Sequence, residues 1–484
     1  MHTVETTHTT PAIEADVLVV GAGPGGYTAA FRAADLGLKV VLVDKGDALG
    51  GTCLNVGCIP SKALLHAAKV ITEAEEMTPH GIKFVKPEID LNELRKWKSD
   101  NVVDQLTGGL NQLAKQRSVH VIQGKGTFIS SHEMRVQLHD MPSQIVRFDH
   151  AIIAVGSSPA TFPNAPVDSR IMNSTDALAM KDISERLLVI GGGIIGLELG
   201  TVYDAFGSRV TVAERSPTLM KGSDKDVIRP LHRRMAKRFE RIMVNTVVDK
   251  MIAMEDGVHV DFSGENTIQD AVFDRVLVAI GRKPNGHLIG AEHAGVFVDD
   301  KGYIPVDKCM RTNVPHIFAI GDVIGNPMLA HKATHQGKVA AEVIAGHAAA
   351  FVTTVIPSVA YTDPEIAWAG VTENEAKEHG IAIEVSSFPW AASGRAMSIN
   401  RTEGVTKLIF DKYTNQLIGA AIVGANAGEL ITEAVLAIET ATKAEALGQV
   451  IHPHPTLSET ICFAAEMNLG TITDLYMKKQ TKAA

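Results

Sequence analysis

Two stretches of the chain share one glycine pattern, and each lies between an apolar run and a segment with helical composition. The first is GAGPGG at residues 21–26, after the apolar run 15–20, and the second is GGGIIG at residues 191–196, after 186–190. In a dinucleotide-binding βαβ unit such glycines permit a tight turn and a close approach to the pyrophosphate, whose charge the helix N-terminus receives. The repeat therefore predicts an α/β fold with two nucleotide sites.

The spacing that follows the two fingerprints is the same. In each copy the last fingerprint glycine precedes a helix-stopping glycine by eleven positions and an acidic residue by eighteen: Gly26, Gly37 and Asp44, then Gly196, Gly207 and Glu214. An acid at the end of the second strand can accept hydrogen bonds from a ribose. Two dinucleotide sites of one architecture suggest that electrons pass between the bound molecules.

Two of the four cysteines stand five positions apart in GGTCLNVGCIPSK, residues 50–62. On a regular helix, Cα atoms at this spacing are about 8–9 Å apart, whereas a disulfide needs less than about 7 Å. A bond between Cys53 and Cys58 thus requires an irregular helix, which Gly57 permits. Two unbonded thiols packed as small apolar groups are one alternative. A zinc site is another, although no second Cys or His cluster lies nearby.

The string GGTCLNVGCIPSKALL, residues 50–65, resembles the active-site segment of the pyridine nucleotide-disulfide oxidoreductases, most closely that of the dihydrolipoamide dehydrogenases among them. The resemblance extends from about residue 15 to residue 475. It implies two Rossmann-like domains, for FAD and NAD, and a C-terminal α+β dimerisation domain. It further implies a redox-active disulfide, in which Cys53 exchanges with dihydrolipoamide and Cys58 faces the flavin, and a reaction that reduces NAD+.

The resemblance also assigns residues to the two cofactors. Lys62 is expected near the flavin, paired with Glu198, and Asp322 in the string AIGDV on the ribityl chain, although a turn aspartate is an alternative for Asp322. Glu214 would repel the 2′-phosphate of NADP and accept from the free hydroxyl of NAD. The full expected set is Gly21, Gly23, Gly26, Asp44, Lys62, Gly126, Asp322, Met328, Leu329, Ala330, Gly191, Gly193, Gly196, Glu198, Glu214 and Gly281.

The string IHPHPTLSE, residues 451–459, contains two histidines between prolines. A rigidly held imidazole suits proton transfer near neutral pH, and the resemblance makes His454 the base and Glu459 the group that orients it. Two alternatives come from the residues themselves. Thr456 and Glu459 have the spacing of a helix capping box, and His452 with His454 has the spacing of a metal-binding pair.

The expected organisation has five segments. Residues 1–14 form a disordered extension, 15–155 the first part of the FAD domain and 156–285 the NAD domain. Residues 286–355 form the second part of the FAD domain, and 356–484 the dimerisation domain, which ends in a solvated basic tail. Cys309 and Cys462 belong to no motif and are expected to be buried and inert.

Composition limits the partners. A formal net charge of −9 over 484 residues argues against nucleic acid, and no apolar run is long enough to span a bilayer. Four cysteines favour a reducing compartment, the cytoplasm. The resemblance implies a homodimer and, as partner, the lipoyl-bearing acyltransferase core of 2-oxo acid dehydrogenase complexes or the lipoyl protein of glycine cleavage. Glutathione- or mercuric-reductase-like enzymes and a flavin- and NADH-binding redox sensor are the alternative functions.

Overall fold

The structure is a computed structural model, which describes residues 12–139, 141–265, 267–353 and 355–476. It divides into two compact units, Met1–Ala63 with Asp90–Ala160 and Gly281–Val352, and Leu64–Ile89 with Thr161–Ile280 and Thr353–Ala484. The second unit therefore contains both the expected NAD segment and the expected dimerisation segment. The finer division into five segments stays a prediction.

The structure describes the last residues of the expected N-terminal extension but none of the expected basic tail. Most of the expected N-terminal extension and the basic tail at 478–482 lie outside the described residues. Ile13 and Glu14, expected in the disordered extension, instead begin the first strand, Ile13–Val20, and pair with Val146 and Arg147. The alternation of apolar and polar residues in this strand already starts at Ile13, so the predicted boundary at residue 15 was two residues late.

A six-stranded sheet forms the centre of the first unit. Parallel pairing orders five strands as 120–130, 40–44, 13–20, 144–153 and 317–319, with buried aliphatic side chains on both faces. Their carboxyl ends share one edge, which is where open α/β sheets bind ligands. The strand bounds are Ile13–Val20, Val40–Asp44, His120–Ser130, Glu133–Leu138, Gln144–Ile153 and Ile317–Ala319, with a separate two-stranded sheet of Ser157–Pro159 and Arg282–Pro284.

The helices of this unit begin and end where the glycines and prolines predict. The first fingerprint helix, Pro24–Asp35, has Gly23 as its N-cap, and Gly37 just beyond its end has a φ of +88°, a conformation that glycine adopts without steric cost. The other helices are Gly51–Val56, Leu91–Lys96, Gln105–Gln116 and Ala330–Ile344, with a π-helical stretch Trp97–Asp104 and short 3₁₀ turns Gly286–Leu288, Ala291–Ala294 and Gly321–Ile324. The helix Cys58–Glu76 begins in this unit and ends in the second.

One expectation about the strands of this unit is wrong. The alternation over residues 136–148 predicts a single strand, but the structure has two antiparallel strands, Glu133–Leu138 and Gln144–Ile153. Pro142 lies between them, and proline cannot donate to a strand ladder. The buried run 151–156, predicted as a separate strand, is strand only over residues 151–153, which are the end of the second of these strands.

The second unit contains one parallel and two antiparallel sheets. The parallel sheet has the order 241–243, 209–213, 186–190, 275–278 and 171–172, so the second fingerprint follows its central strand. A three-stranded antiparallel sheet consists of Thr246–Met254, Gly257–Gly264 and Ala271–Phe273. The antiparallel sheet of the C-terminal segment has the order Ser358–Ala360, Glu365–Gly370, Leu417–Gly424, Val405–Asp411 and Ile383–Pro389.

Helices pack on these sheets around two apolar cores. Their bounds are Ser174–Leu178, Ile194–Ala205, Lys225–Arg238, Glu373–His379, Gly394–Ser398, Ala427–Glu439, Ala444–Leu447 and Glu459–Leu469, with 3₁₀ turns Thr78–His80 and Trp390–Ala392. Of the helices in the described residues, none combines the length and the apolar character that a membrane span requires.

A fully buried lysine, Lys407, lies in the C-terminal antiparallel sheet. Its Nζ is 2.9 Å from Asp224 Oδ2 and 3.0 Å from Asp226 Oδ1, and it also pairs with Glu373. Burial opposes the charge of Lys407, but the hydrogen bonds to Glu373, Asp224 and Asp226 outweigh it and raise the pKa of the ammonium group. These three carboxylates have the mutual spacing of cation ligands; in this structure the ammonium group of Lys407 is their counter-ion.

Replacing Lys407 with Met should lower the thermal unfolding midpoint markedly. The substitution leaves three carboxylates close together around a buried position, and removing one partner of a buried ion pair typically costs about 3–5 kcal/mol. Thermal unfolding followed by circular dichroism measures the change, and Lys412→Met, at an exposed position nearby, is the control. Equal midpoints for the two variants would contradict this account of Lys407.

Candidate active site and nucleotide-binding loops

The two cysteines of the segment 50–62 come together because the helix is interrupted between them. A short helix, Gly51–Val56, ends at Gly57, and a second helix begins at Cys58. Gly57 has φ −145° and ψ −114°, and a Cβ there would lie 2.7 Å from the Thr52 carbonyl oxygen. Only glycine fits this break without displacing the backbone. Cys53 and Cys58 are thiols in this structure, and their side chains are within hydrogen-bonding distance of each other.

The surroundings of the cysteine pair raise the pKa of one sulfur, that of Cys53. The hydrogen bond that the half-buried Cys53 thiol donates to Cys58, together with burial and the charge of Cys58, raises the pKa of Cys53 far above its usual value, and the nearby ammonium of Lys62 opposes this only in part. Cys53 is therefore the sulfur that keeps its proton while its neighbour is charged. Among the described residues no group of three potential metal ligands includes either cysteine. The described residues therefore offer no set of zinc ligands around this pair.

The glycine loops have the close backbone contacts that the fingerprints predict. A Cβ on Gly21 would lie 2.4 Å from the Ala154 carbonyl oxygen, and a Cβ on Gly191 would lie at the same distance from that of Ala279. Gly23 and Gly193, in contrast, would present a Cβ to open space within the described residues. Each loop thus packs tightly on its sheet and leaves one face open at the N-terminus of a helix. This is the shape that a dinucleotide pyrophosphate needs.

The acids after the second strand of each copy hold these loops in the same way. Asp44 accepts hydrogen bonds from the N–H of Ala22 at 2.5 Å and from the N–H of Gly46 at 2.7 Å. Glu214 accepts from the N–H of Gly192 at 2.7 Å and from that of Ser216 at 2.6 Å. Asp44 makes the same two types of contact as Glu214 despite a side chain one methylene shorter.

Asp322 lies in a cluster that the sequence analysis identified only in part. Ser157 donates from its hydroxyl to Asp322 Oδ2 at 2.5 Å and accepts from Arg282 Nε at 2.7 Å. Burial lowers the pKa of Arg282, although the charges of Asp322 and Cys58 oppose the shift. Asp322 is thus more than a turn residue, because it is the acceptor for a buried serine–arginine pair. Ser157 and Arg282, which the sequence did not single out, stand in the strings SSP (157–159) and GRKPN (281–285), each directly after a buried strand of the sequence.

Two further buried residues support the same edge of the sheet. Lys332 Nζ donates to the carbonyl oxygen of Gly325 at 2.6 Å, and burial lowers its pKa against the opposing charge of Asp322. Gln336 accepts from the N–H of Gly321 at 2.9 Å. Lysine and glutamine four positions apart on a helix of small residues were the signal that could have identified them. Met328, Leu329 and Ala330, expected at the flavin, stand at the start of this helix, where Leu329 is the N-cap.

Four expected cofactor residues, Gly126, Gly281, Glu198 and Lys62, lie outside the two glycine loops. Gly126 lies inside the strand 120–130, where a Cβ would meet Met134 Sδ at 2.5 Å, and Gly281 has a φ of +124°. Glu198 is buried and accepts from the N–H of Tyr361 at 2.9 Å. Lys62 and Glu198 belong to different units, and their pairing stays a prediction.

The second histidine of the His-Pro-His-Pro string forms an imidazole–carboxylate pair. His454 Nδ1 is 2.9 Å from Glu459 Oε1, and Glu459 Oε2 accepts from the N–H of Thr456 at 2.7 Å. The side chain of His454 is 78% exposed, whereas that of Glu459 is 14% exposed. With Nδ1 directed at a carboxylate, Nε2 is the ring nitrogen available to a substrate.

The alternatives for this string fit the structure less well. The helix begins at Glu459 with Ser458 as its N-cap, and the Thr456 hydroxyl donates to the Pro453 carbonyl oxygen, so no capping box forms. His452 is not arranged with His454 as a metal pair. Its Nε2 lies 2.8 Å from Glu433 Oε1 and its Nδ1 lies 2.9 Å from the Val450 carbonyl oxygen.

The expectation that the two remaining cysteines are buried is wrong. Cys309 and Cys462 are both half-buried. Cys309 lies in an irregular segment, where its N–H donates to Asp307, and Cys462 lies on the partly covered face of the last helix. Burial and the neighbouring charge of Glu466 raise the pKa of Cys462 to about 11, which leaves it a poor nucleophile near neutral pH.

Comparison with known proteins gives two family matches. The family model described as pyridine nucleotide-disulphide oxidoreductase matches residues 15–337, and the model of the dimerisation domain of that family matches residues 356–465. The predicted fold class is thereby confirmed.

Named relatives cover nearly the whole chain. A dihydrolipoyl dehydrogenase of Vibrio parahaemolyticus is 53% identical over 97% of this chain and 99% of its own length. One from Haemophilus influenzae is 54% identical over 96% and 97%.

Solved structures with lower sequence identity also superimpose on nearly the whole chain. LpdA from Mycobacterium tuberculosis superimposes with a TM-score of 0.86 at 26% identity, covering 94% of this chain and 99% of that one. The HOCl-induced flavoprotein disulfide reductase RclA from Escherichia coli gives 0.83 at 26% identity over 93% and 99%. With two fingerprint loops, a cysteine pair at a helix break and relatives that are more than half identical over nearly full length, the chain belongs to the pyridine nucleotide-disulphide oxidoreductase family.

Proposed function

We propose that this chain is an NAD-dependent dihydrolipoyl dehydrogenase, which oxidises protein-bound dihydrolipoamide to lipoamide and reduces NAD+. The observation that carries the proposal is the cysteine pair at the Gly57 helix break, in a chain whose relatives at 53% and 54% identity have this name. FAD and NAD are its cofactors.

The residues that would hold the cofactors follow from the loop geometry. The first fingerprint with Asp44, together with Asp322 and Lys62, would hold FAD. The second fingerprint with Glu214 would hold NAD. When bound, FAD would supply the two-electron redox chemistry that links the cysteine pair to NAD+. Lys62 paired with Glu198 beside the flavin is part of this proposal.

His454 is the general base. Its Nε2 removes a proton from one thiol of dihydrolipoamide, while Glu459 on Nδ1 holds the ring orientation and stabilises the imidazolium that forms. The substrate thiolate attacks Cys53 Sγ of the Cys53–Cys58 disulfide, which forms a mixed disulfide and releases Cys58 as a thiolate.

The second half of the exchange completes the oxidation. The remaining substrate sulfur attacks the substrate sulfur of the mixed disulfide, which closes the lipoamide ring, and its proton passes to the departing Cys53 sulfur, so Cys53 is released as a thiol. Two electrons have then moved from the substrate to the cysteine pair. Because Cys53 keeps its proton beside a charged Cys58, Cys58 is the sulfur suited to pass the electrons on.

The proposal extends to partners and compartment. The protein is a homodimer that works in the cytoplasm with the lipoyl-bearing acyltransferase core of 2-oxo acid dehydrogenase complexes, and with the glycine cleavage lipoyl protein as a further possible substrate carrier. The match to a dimerisation domain supports the homodimer. The acyltransferase partner follows from the substrate, since dihydrolipoamide is attached to such proteins.

The other reductases of the family are less favoured. Glutathione-reductase-like enzymes would need arginine where Glu214 stands, and mercuric reductase a cysteine pair near the C-terminus, where the sequence has no cysteine after Cys462. Steady-state reduction of NAD+ by dihydrolipoamide tests the proposed activity directly. A redox sensor would bind both cofactors without sustained turnover.

Replacing Cys53 with Ser should abolish lipoamide turnover and keep a long-wavelength absorption from the Cys58 thiolate against the flavin. The reason is that Cys53 is assigned to the substrate and Cys58 to the flavin. Absorption spectra and steady-state rates check both parts, with Cys309→Ser as the half-buried control. Normal turnover in Cys53→Ser would refute the assignment.

The protein should prefer NAD+ to NADP+ by at least about 10²-fold in kcat/KM, because a like-charge contact between Glu214 and a 2′-phosphate costs several kcal/mol. Glu214→Gln should reduce this ratio, whereas Glu240→Gln, at an exposed position of the same unit, should not. Comparable kcat/KM for both nucleotides in the unmodified protein would overturn the role of Glu214.

Mixed dimers of two inactive variants should regain activity. By resemblance, His454 serves the disulfide of the other subunit, so Cys53→Ser and His454→Gln should each be nearly inactive, the latter by about 10²–10⁴-fold. His454→Gln should still reduce small dyes with NADH. When the variants are unfolded and refolded together, each mixed dimer contains one intact site. Mixed dimers that form but stay at parental activity would exclude a shared site.

A further inference from the structure

The two histidines of the His-Pro-His-Pro loop, residues 450–458, have opposite environments. The side chain of His452 is 6% exposed and that of His454 is 78% exposed. His454, the proposed base, therefore has little packing around its ring. Its position depends on the hydrogen bond to Glu459 and on the backbone that precedes it.

Both ring nitrogens of His452 face oxygen atoms that act as acceptors. Nδ1 is 2.9 Å from the Val450 carbonyl oxygen and Nε2 is 2.8 Å from Glu433 Oε1. A neutral imidazole carries one N–H, whereas the imidazolium carries two. Both contacts are hydrogen bonds when His452 is an imidazolium paired with the carboxylate of Glu433, and such charge-assisted bonds are about twice as strong as neutral ones.

The loop is thus held from two sides of His454. On the upstream side, His452 connects the loop to helix Ala427–Glu439 through Glu433. On the downstream side, Glu459 bonds both the imidazole of His454 and the N–H of Thr456. Pro453 lies between the two histidines and fixes one backbone torsion there. A shift of the His452 anchor is therefore transmitted to His454 over only two residues.

We infer that His452, bound to Glu433, is a positioning residue for the base His454. This inference rests on the proposed function. His452 would not touch the substrate; it would fix the backbone from which His454 reaches it, and Glu433 would be the fixed point on the helix. A base displaced by about 1 Å can lose up to about 10²-fold in rate.

Single variants separate the anchor from the base. His452→Gln and Glu433→Ala should each lower kcat/KM for dihydrolipoamide by about 10-fold or more, with KM for NAD+ and NADH-dependent dye reduction unchanged. Glu433→Gln should stay within about 3-fold of the unmodified protein, because its amide can still hydrogen-bond Nε2 of a neutral imidazole. Glu433→Met, which keeps the bulk but has no carboxylate or amide to bond Nε2, should lose as much as Glu433→Ala; it would stay active if the side chain merely filled space.

The double variant with the base gives the decisive comparison. In a His454→Gln background, adding His452→Gln should change the residual dihydrolipoamide turnover by less than about 2-fold, since a residue that acts through the base has no effect once the base is gone. Two controls lie in the same unit: Glu429→Gln on the same helix, and His379→Gln, whose Nδ1 also meets a backbone carbonyl. Both should retain full activity.

The outcomes distinguish this inference from the proposed function. Full activity of His454→Gln would refute the assignment of the base itself. An inactive His454→Gln with normal His452→Gln and Glu433→Ala would refute only the positioning role. A loss in His452→Gln that persists undiminished in the His454→Gln background, or that lowers dye reduction equally, would also refute it, because His452 would then support the fold as a whole.

Discussion

The break in the helix at Gly57 is the constraint on which the proposed redox chemistry depends. Five residues of continuous helix would keep Cys53 and Cys58 apart, whereas the break lets their sulfurs approach. The same break starts a new helix at Cys58, so Lys62 follows one turn later and its charge reaches the pair. A side chain at residue 57 would collide with the Thr52 carbonyl oxygen. The two sulfurs can therefore approach each other only because residue 57 is a glycine.

The acids of the two fingerprints have a structural role as well as a proposed recognition role. Asp44 and Glu214 each accept two backbone N–H groups, one from the glycine loop and one from the turn after their own strand. These bonds hold the loop against the sheet with its open face towards the helix N-terminus. The carboxylate that would recognise a ribose therefore also fixes the loop that would bind the pyrophosphate, which explains why both copies keep an acid at the same distance from their last glycine.

Buried charge in this protein is matched by opposite charge from distant parts of the chain. Lys407 is surrounded by three carboxylates, and Asp363 is held between Arg234 and Arg401, which lower its pKa against the effect of burial. In the first unit Ser157 joins Arg282 to Asp322. An unpaired buried charge is costly, so each of these groups specifies its partners and thereby the packing of the elements that carry them.

Patterns that are local in the chain were determined by the sequence alone. The two fingerprints, their stopping glycines Gly37 and Gly207, and the acids Asp44 and Glu214 at the carboxyl ends of the second strands all rest on short-range geometry, which residue type controls directly. The failed expectation at 136–148 is also local, since Pro142 was there to be read as the point where the strand breaks.

Contacts between distant residues were decided only by the tertiary structure. Ser157 hydrogen-bonds Arg282 and Asp322, from which more than a hundred residues separate it in the chain. Glu198 accepts from the N–H of Tyr361. His452 contacts Glu433 on helix Ala427–Glu439. A capping-box spacing at Thr456 and Glu459 was present in the sequence, and Glu459 does accept from the Thr456 N–H, but its other oxygen bonds His454 and the helix begins two residues later than that motif requires. The sequence specifies which groups can form hydrogen bonds, but burial and the path of the chain decide which partners they meet.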